Sequence, residues 1–491
     1  MSGTKSLAKD SVIYGGTTII TRMVSWLTTP LFTYTFAQKS DFGMVTNIYA
    51  YAAVIIVLLT FGMETGLFRF INQVDKYKPN VVYSTVIFIV SGIILLFLIS
   101  FLGFFNQIRF IWPNQIPDTY IRMFILLTCM DGFSAVPFAY LRYQKRPLKF
   151  GFIHLLQAVL YILLCVFFLV ACPWINKHNP GLIAWFWRDN FTVGYVLIAN
   201  ILATGIQTIC LIPYLTGFKY SFDWALAKKM LNYSFPLVIM GLAGISNQVF
   251  DKMIFPVVFP DSDTAYEQLG IYGACFKIAV VMVMFTQAFR YAFDPYVFEK
   301  SKDKDAKQSY AIVTKYFVIM SLLVFLGIIC YIDIFKYFVS PDYWEALPIV
   351  PIVLLGQLFF SVYYNFSVWY KLTDKTYWGT IFSIIGFVVI IAVNIIYIPV
   401  YGYMACAWAS FAGNLLMMLL SYFIGQKNYF IRYDLKTLFL YTCLAMILYV
   451  AAVYMPIESL GLRLAFRTGL ICIYLFVAFK RDVKAHFLNF T

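Results

Sequence analysis

The chain opens with two long apolar segments, LAKDSVIYGGTTIITRMVSWLTTPLF (residues 7–32) and GMVTNIYAYAAVIIVLLTFGMETGLFRF (residues 43–70), which both carry charge inside them. Arg22 lies about ten residues inside the uncharged run that follows Asp10 in the first segment, and Glu64 and Arg69 lie towards the end of the second. A charge at the bilayer centre costs about 2.5–3.5 kcal/mol even on lenient insertion scales, so such residues face protein or water. We therefore expect these segments to be membrane spans that border a polar path.

The composition of the whole chain is that of a polytopic membrane protein. Of its 491 residues, 62% are hydrophobic and 12% are charged, whereas a soluble domain carries about 25% charge. The net charge of +14 is concentrated in short loops, which reflects membrane topology and gives no reason to expect a nucleic-acid partner. The nine cysteines lie mostly in apolar segments without a CxxC motif, which favours buried hydrophobes over disulfides or a metal site.

Hydropathy predicts an all-α protein with fourteen membrane spans. The predicted spans are residues 11–36, 42–71, 81–105, 119–141, 150–172, 190–216, 231–258, 268–296, 310–332, 346–370, 377–398, 403–425, 435–455 and 462–480. The loops support this count, because 23 Lys and Arg residues fall on one side and eight on the other, in strict alternation. The positive-inside rule then places both termini in the cytoplasm.

A weak internal repeat indicates two similar halves. Leu7-Ala8-Lys9 with Tyr14 recurs as Leu226-Ala227-Lys228 with Tyr233, and Asp41-Phe42-Gly43 and Gln268-Leu269-Gly270 begin the next span of each half. Six spans precede residue 220, so the second half begins in the same orientation as the first. This pattern is typical of transporters with parallel repeats.

Five cations lie inside the opening two spans of each half: Arg22, Arg69, Lys252, Lys277 and Arg290. At 1.5 Å per residue, Arg22 and Lys277 lie about 13–17 Å from the nearest helix end, near mid-membrane. This depth favours a role in lining a substrate pathway over a structural ion pair.

The other three cations lie nearer the ends of their spans, and the two alternatives stay equally open for them. Arg69 and Arg290 can snorkel to the cytoplasmic interface. Asp294 follows Arg290 at the i+4 position and Asp251 precedes Lys252, so a local ion pair can explain each of these cations.

Three embedded acids, Glu64, Asp131 and Asp251, are candidates for ion coupling. A carboxylate in a site of low dielectric can take up and release a proton, which ion-coupled transport requires. The alternative is that Glu64 neutralises a nearby cation, and for Asp131 a structural pairing is favoured. No cofactor is expected, and coupling to H⁺ or to Na⁺ is left open.

The start of the chain resembles the Wzx-type flippases of O-antigen and capsule biosynthesis, which belong to the multidrug/oligosaccharidyl-lipid/polysaccharide (MOP) exporter superfamily. The resemblance covers about the first 72 residues. It rests on SLAKDSVIYGGTTIITRMVSWLTTPLFTYTF (6–36), the DFG-like start of the second span, and GMETGLFRF (62–70) at its end.

The resemblance implies two six-helix lobes, residues 1–218 and 219–430, followed by two peripheral helices, residues 431–491. It also implies a bacterial cytoplasmic-membrane protein that carries undecaprenyl-diphosphate-linked oligosaccharide to the outer leaflet by alternating access. The five cations would then meet the lipid diphosphate and any acidic sugars in a central cavity. Expected partners are this lipid-linked substrate, membrane lipids, and the polymerase and chain-length proteins of the same pathway.

Three rival functions remain. A MATE-like multidrug exporter is less compatible with cavity cations, because a cationic drug requires an acidic cavity. A lipid II flippase also carries a diphosphate lipid. A polytopic O-antigen polymerase or ligase would be an enzyme with a large outer loop, whereas the largest outer segment here is only about twenty residues long. We therefore expect a transporter and not an enzyme.

Overall fold

In the computed structural model, the regular structure of the described residues is entirely helical. The structure describes residues 2–73, 75–109, 112, 115–216, 218–301 and 303–483. Among the basic residues that set the predicted topology, Lys302 and Lys484 lie outside these ranges.

Thirteen helices in the described part of the chain are long and apolar enough to cross a membrane. We number them spans 2–14: Lys39–Ile71, Pro79–Gly103, Asp118–Tyr143, Pro147–His178, Thr192–Tyr214, Trp224–Val258, Ser262–Asp294, Ala306–Cys330, Ile349–Leu372, Tyr377–Tyr401, Tyr403–Asn428, Leu435–Tyr454 and Leu460–Arg481. Each corresponds to one predicted span, so the prediction of an all-helical polytopic fold is confirmed.

The first predicted span, residues 11–36, is formed by two helices, Ser2–Trp26 and Thr28–Thr35. Pro30 explains the break, because proline has no N–H to donate to the carbonyl of Trp26. The first helix also begins nine residues before the predicted start of the span, since its first turns are polar and hydropathy does not detect them.

Span 2 consists of two helices, Lys39–Thr60 and Met63–Ile71, joined by a two-residue break. Phe61 and Gly62 both have left-handed backbone angles, with φ of 47° and 64°. Glycine adopts this conformation without steric cost, whereas phenylalanine does so rarely. The Ser234 hydroxyl on span 7 lies 3.5 Å from the Gly62 carbonyl oxygen, so span 7 packs against the break.

Helix starts elsewhere follow ordinary capping chemistry. Pro79 and Pro147 occupy the first helical position of spans 3 and 5, where the missing N–H has no intrahelical partner to lose. The side chain of Asp223 accepts a hydrogen bond from the Leu226 N–H at the start of span 7. Asp434 does the same for the Thr437 N–H at the start of span 13.

The chain divides into two compact units. The first contains residues 1–273 and Ile398–Gly402, and the second contains Ala274–Tyr397 and Tyr403–Thr491. The division falls within span 8, and the predicted lobe boundaries at residues 218 and 430 remain a prediction.

Candidate functional site

The two cations predicted to lie deepest in the membrane have different surroundings. Arg22 lies on the first helix, five residues before the break at Leu27, and its side chain is exposed. Lys277 lies in the middle of the helix Ser262–Lys300, and its side chain is half-buried. Both therefore keep part of their surface accessible, as a residue that lines a pathway must.

Arg69 and Arg290 each stack on a tyrosine ring. The Arg69 Cζ lies 4.0 Å from the ring centroid of Tyr233 on span 7. The Arg290 Cζ lies 3.8 Å from the ring centroid of Tyr364 on span 10. A guanidinium attracted to the face of an aromatic ring is held in one plane, and this orientation suits bidentate binding of a phosphate by its N–H groups.

The local ion pair that the sequence allowed for Arg290 does not form. Asp294 instead lies 3.1 Å from the Nζ of Lys371, near the end of span 10 in the second compact unit. Within the part of the chain that the structure describes, no carboxylate lies within ion-pair distance of Arg290. Among the described residues, the Arg290 guanidinium therefore contacts a ring and not an acid.

Lys252 is buried and forms an ion pair with its neighbour Asp251. The Lys252 Nζ donates to both carboxylate oxygens, at 3.1 and 3.0 Å, and the two residues are only 9% and 3% exposed. The Tyr272 hydroxyl donates to the same carboxylate at 2.5 Å. On span 2, Asn47 donates to the Lys252 carbonyl oxygen at 2.7 Å. This geometry matches the structural alternative that the sequence left open, while the substrate-binding role of Lys252 remains a prediction.

Glu64 also has a cationic partner. Arg142, at the end of span 4, lies 2.8 Å from a Glu64 carboxylate oxygen. The sequence leaves open that Glu64 neutralises a nearby cation, and Arg142 provides that contact from another helix. Arg142 lies just beyond the predicted end of its span at residue 141, and nothing in the local sequence indicates a contact with span 2.

Asp131 lies beside a polar cluster inside the first compact unit. The Thr204 hydroxyl on span 6 donates to Asp131 at 3.4 Å. One turn away, the Asn200 amide donates to the Tyr49 hydroxyl at 2.7 Å, and the Tyr49 and Tyr161 hydroxyls lie 3.5 Å apart. Spans 2, 4, 5 and 6 thus each contribute a polar group. In the described residues, the structural ion pair that the sequence favoured for Asp131 does not form.

Comparison with solved structures shows that the chain has a known fold. Lipid II flippase MurJ in an inward closed conformation matches with a TM-score of 0.73 and 14% identity, over 96% of this chain and 99% of that one. An inward-facing multidrug resistance MATE family transporter of the MOP superfamily matches with a TM-score of 0.61 and 13% identity, over 86% of this chain and 93% of that one. A mutant of the Vibrio cholerae MATE transporter VcmN matches with a TM-score of 0.57 and 13% identity, over 87% of this chain and 98% of that one.

No protein-family model matches the sequence, and no curated protein matches it. At the identities of the matching structures, the similarity establishes the fold. The chain is a multi-pass membrane protein with the fold shared by MATE transporters and MurJ.

Proposed function

We propose that this protein is a flippase that moves an undecaprenyl-diphosphate-linked oligosaccharide from the cytoplasmic to the outer leaflet of the bacterial cytoplasmic membrane. The observation that carries the proposal is the set of cations inside the apolar spans of a chain with a MATE and MurJ fold. Cationic side chains at this depth are costly, and an anionic diphosphate is a substrate that would use them. The oligosaccharide would serve surface-polysaccharide biosynthesis.

The proposed mechanism uses the cations to capture the headgroup while the polyprenyl tail stays in lipid. Arg22 and Lys277 bind the diphosphate, and the stacked guanidiniums of Arg69 and Arg290 add bidentate contacts. A change between inward-open and outward-open states then releases the glycan outside. No covalent bond is made or broken, so the protein acts as a transporter, and the polymerase and chain-length proteins of the pathway would act on its product.

A lipid II flippase is the second candidate. The similarity to MurJ extends over 96% of this chain, compared with 86% for the inward-facing MATE transporter. Lipid II carries the same class of anionic headgroup, so the cations suit it equally well. The resemblance of the first 72 residues to Wzx-type flippases favours the oligosaccharide lipid. A cationic drug is a poorer fit because it would be repelled by the same side chains.

The test is a flipping assay in proteoliposomes with labelled polyprenyl-diphosphate oligosaccharide, lipid II and a cationic dye as alternative substrates. We expect the wild type to move the oligosaccharide lipid, and R22A and K277A to lose most of this activity. K228A is the matched control, because Lys228 is an exposed basic residue at the start of span 7. It should flip at the wild-type rate.

Each other outcome favours a different conclusion. Movement of lipid II alone would replace the proposed substrate with the second candidate. Movement of the dye alone would support a multidrug exporter. Normal flipping by folded R22A and K277A variants would show that these two cations are structural.

A further inference from the structure

Three cations converge on one carboxylate where the segment after span 9 meets the start of span 14. The Asp333 Oδ2 lies 2.9 Å from the Arg467 Nη1 and 2.8 Å from the Arg463 Nε. The Oδ1 of the same carboxylate lies 3.7 Å from the Lys336 Nζ. Among the residues that the structure describes, no other carboxylate lies within ion-pair distance of these cations. The cluster therefore holds three positive charges against one negative charge.

The carboxylate satisfies only one of the three cations with well-aligned hydrogen bonds. Arg467 donates to Asp333 and also to the Ala452 carbonyl oxygen, each at 2.9 Å. The Nε–H of Arg463 is close to Asp333 but is buried and not aligned with any acceptor in the described part of the chain. At 3.7 Å, the Lys336 Nζ is beyond hydrogen-bond distance of the carboxylate. Arg463 and Lys336 therefore have donors to offer to a second anion.

Cations are unexpected at this end of the spans. The loop charges predict that it lies on the outer side, which receives eight of the Lys and Arg residues against 23 on the other side, and three of the eight belong to this cluster. Short outer loops are normally poor in Lys and Arg. Arg463 also lies in the first turn of the helix Leu460–Ala478, where the helix dipole adds positive potential. The arrangement therefore favours an anion that comes from outside the chain.

The surface around the cluster is apolar. The segment after span 9 exposes Ile334 and Tyr337, and the start of span 14 exposes Leu462, each by more than half. The Trp344 indole donates to the Lys336 carbonyl oxygen at 2.9 Å, and its ring centroid lies 4.5 Å from the Lys336 Nζ. Tryptophan and tyrosine are typical of the boundary between lipid and water. Cations beside exposed apolar side chains fit a ligand that has both an anionic and an apolar part.

We propose that Lys336 and Arg463 bind the phosphate of an anionic membrane phospholipid at the predicted outer end of spans 9 and 14. The ammonium and the guanidinium donate to phosphate oxygens. Arg467 stays bound to Asp333 and holds the two segments in place. The site uses none of the five cations assigned to the transported substrate, so it does not depend on the proposed flippase function.

A lipid suits the site better than a soluble anion. The side chains of Lys336 and Arg463 are 23% and 29% exposed, so a ligand reaches them from one edge only. The exposed side chains at that edge are Ile334, Tyr337 and Leu462. An acyl chain gains free energy by covering such a surface, whereas inorganic phosphate does not.

The test is a lipid titration of the purified full-length protein in detergent, followed by the midpoint of thermal unfolding. Phosphatidylglycerol, phosphatidylcholine and inorganic phosphate are added in separate series. A ligand that binds the native state raises the midpoint. We expect phosphatidylglycerol to raise it further than phosphatidylcholine at equal concentration, and inorganic phosphate to leave it unchanged.

The double variant K336Q/R463Q removes both proposed contacts. We expect the phosphatidylglycerol concentration that gives half of the full shift to rise about 25-fold, because each basic residue near an anionic lipid corresponds to about a factor of five. K177Q/R188Q is the matched control: it removes two exposed basic residues from the predicted outer segment of residues 172–190, and it should titrate like the wild type. Each variant is compared with itself in phosphatidylcholine, so a general loss of stability cancels.

D333N separates lipid binding from a purely structural role. Loss of the competing carboxylate should lower the midpoint without lipid and leave Arg463 and Lys336 more available to phosphate. We therefore expect D333N to reach half of its shift at a lower phosphatidylglycerol concentration than the wild type. R463K keeps the charge, so it should retain more of the affinity than R463Q.

Four results would overturn the proposal. An equal phosphatidylglycerol response in K336Q/R463Q and the wild type would show that these cations do not bind the lipid. Equal stabilisation by phosphatidylcholine would show that the headgroup charge is not recognised. Equal stabilisation by inorganic phosphate would assign the site to a soluble anion. A weaker phosphatidylglycerol response in D333N would show that the carboxylate supports lipid binding and does not compete with it.

Discussion

Gly43 on span 2 and Gly270 on span 8 pack against each other in a reciprocal arrangement. A Cβ atom at Gly43 would overlap the carbonyl of Tyr266, and a Cβ at Gly270 would overlap the carbonyl of Lys39. Each glycine thus faces the residue four places before the other. The contact explains the repeated motifs Asp41-Phe42-Gly43 and Gln268-Leu269-Gly270: the same position of each half needs glycine because two backbones meet there.

G270A is expected to disrupt this crossing of spans 2 and 8. The added methyl group meets a backbone carbonyl that cannot rotate away, so we expect a loss of stability of at least about 1–3 kcal/mol, the range for overpacking. The midpoint of thermal unfolding in detergent measures the effect. G92A is the control, because a Cβ at Gly92 on span 3 has no atom within 4 Å. An equal midpoint of thermal unfolding in G270A and the wild type would show that spans 2 and 8 can move apart to accommodate the methyl group without a loss of stability.

The Asp251–Lys252 pair is expected to behave as a structural unit. D251N leaves a buried ammonium without its carboxylate, and breaking a buried pair in this way costs about 3–5 kcal/mol. The double variant D251N/K252M removes both charges and should recover most of that loss. Chemical or thermal unfolding of the two single variants and the double variant gives the coupling energy.

The same variants examine the predicted substrate role of Lys252. If D251N/K252M is stable and flips lipid normally, Lys252 is not a substrate ligand. If it is stable but inactive, the cation acts on the substrate in addition to its ion pair. If the stability losses of D251N and K252M add up to the loss of the double variant, the two residues do not act as one structural unit.

The tyrosines under Arg69 and Arg290 are expected to position the guanidiniums for phosphate. Y364L removes the ring that lies 3.8 Å from Arg290, and a cation–π contact contributes about 0.5–2 kcal/mol. We therefore expect flipping to fall by about 2-fold to 30-fold at limiting substrate, since 1.4 kcal/mol corresponds to a factor of ten.

Y364F is the conservative control because it keeps the ring, and it should stay close to the wild type. R290K keeps the charge but loses the planar fork, so it should resemble Y364L. Full activity in R290K would mean that charge alone is sufficient at this position.

Arg467 on span 14 is expected to hold the C-terminal helices against span 9. It is only 7% exposed, and its guanidinium donates to Asp333 at 2.9 Å and to the Ala452 carbonyl oxygen at 2.9 Å. R467A should lower stability by about 1.5–3 kcal/mol, because it removes a charge-assisted hydrogen bond to Asp333 while Arg463 and Lys336 still pair with that carboxylate. Thermal unfolding in detergent measures the loss.

R463A is the comparison within the same site. Arg463 also lies 2.8 Å from Asp333, but its side chain is 29% exposed, so its removal should cost clearly less. Equal effects of the two variants would indicate that the greater burial of Arg467 does not strengthen its interaction with Asp333.

The sequence by itself determined the membrane class, the positions of spans 2–14 and the presence of charges within them. These properties are local: a helix satisfies its backbone hydrogen bonds within one segment, so an apolar window of sufficient length is enough to locate it. The glycines at 43 and 270 were visible as a repeat, although their mutual contact was not.

Only the tertiary structure determines which residues contact the charged side chains within the spans. Glu64 pairs with Arg142 from span 4, Asp294 pairs with Lys371 and leaves Arg290 to a tyrosine ring, and Asp131 stands among neutral groups. Such contacts depend on the rotation and register of one helix against another, which follow from side-chain packing between segments distant in sequence. For this reason the embedded acids looked alike in the sequence and became distinct once the helices were packed.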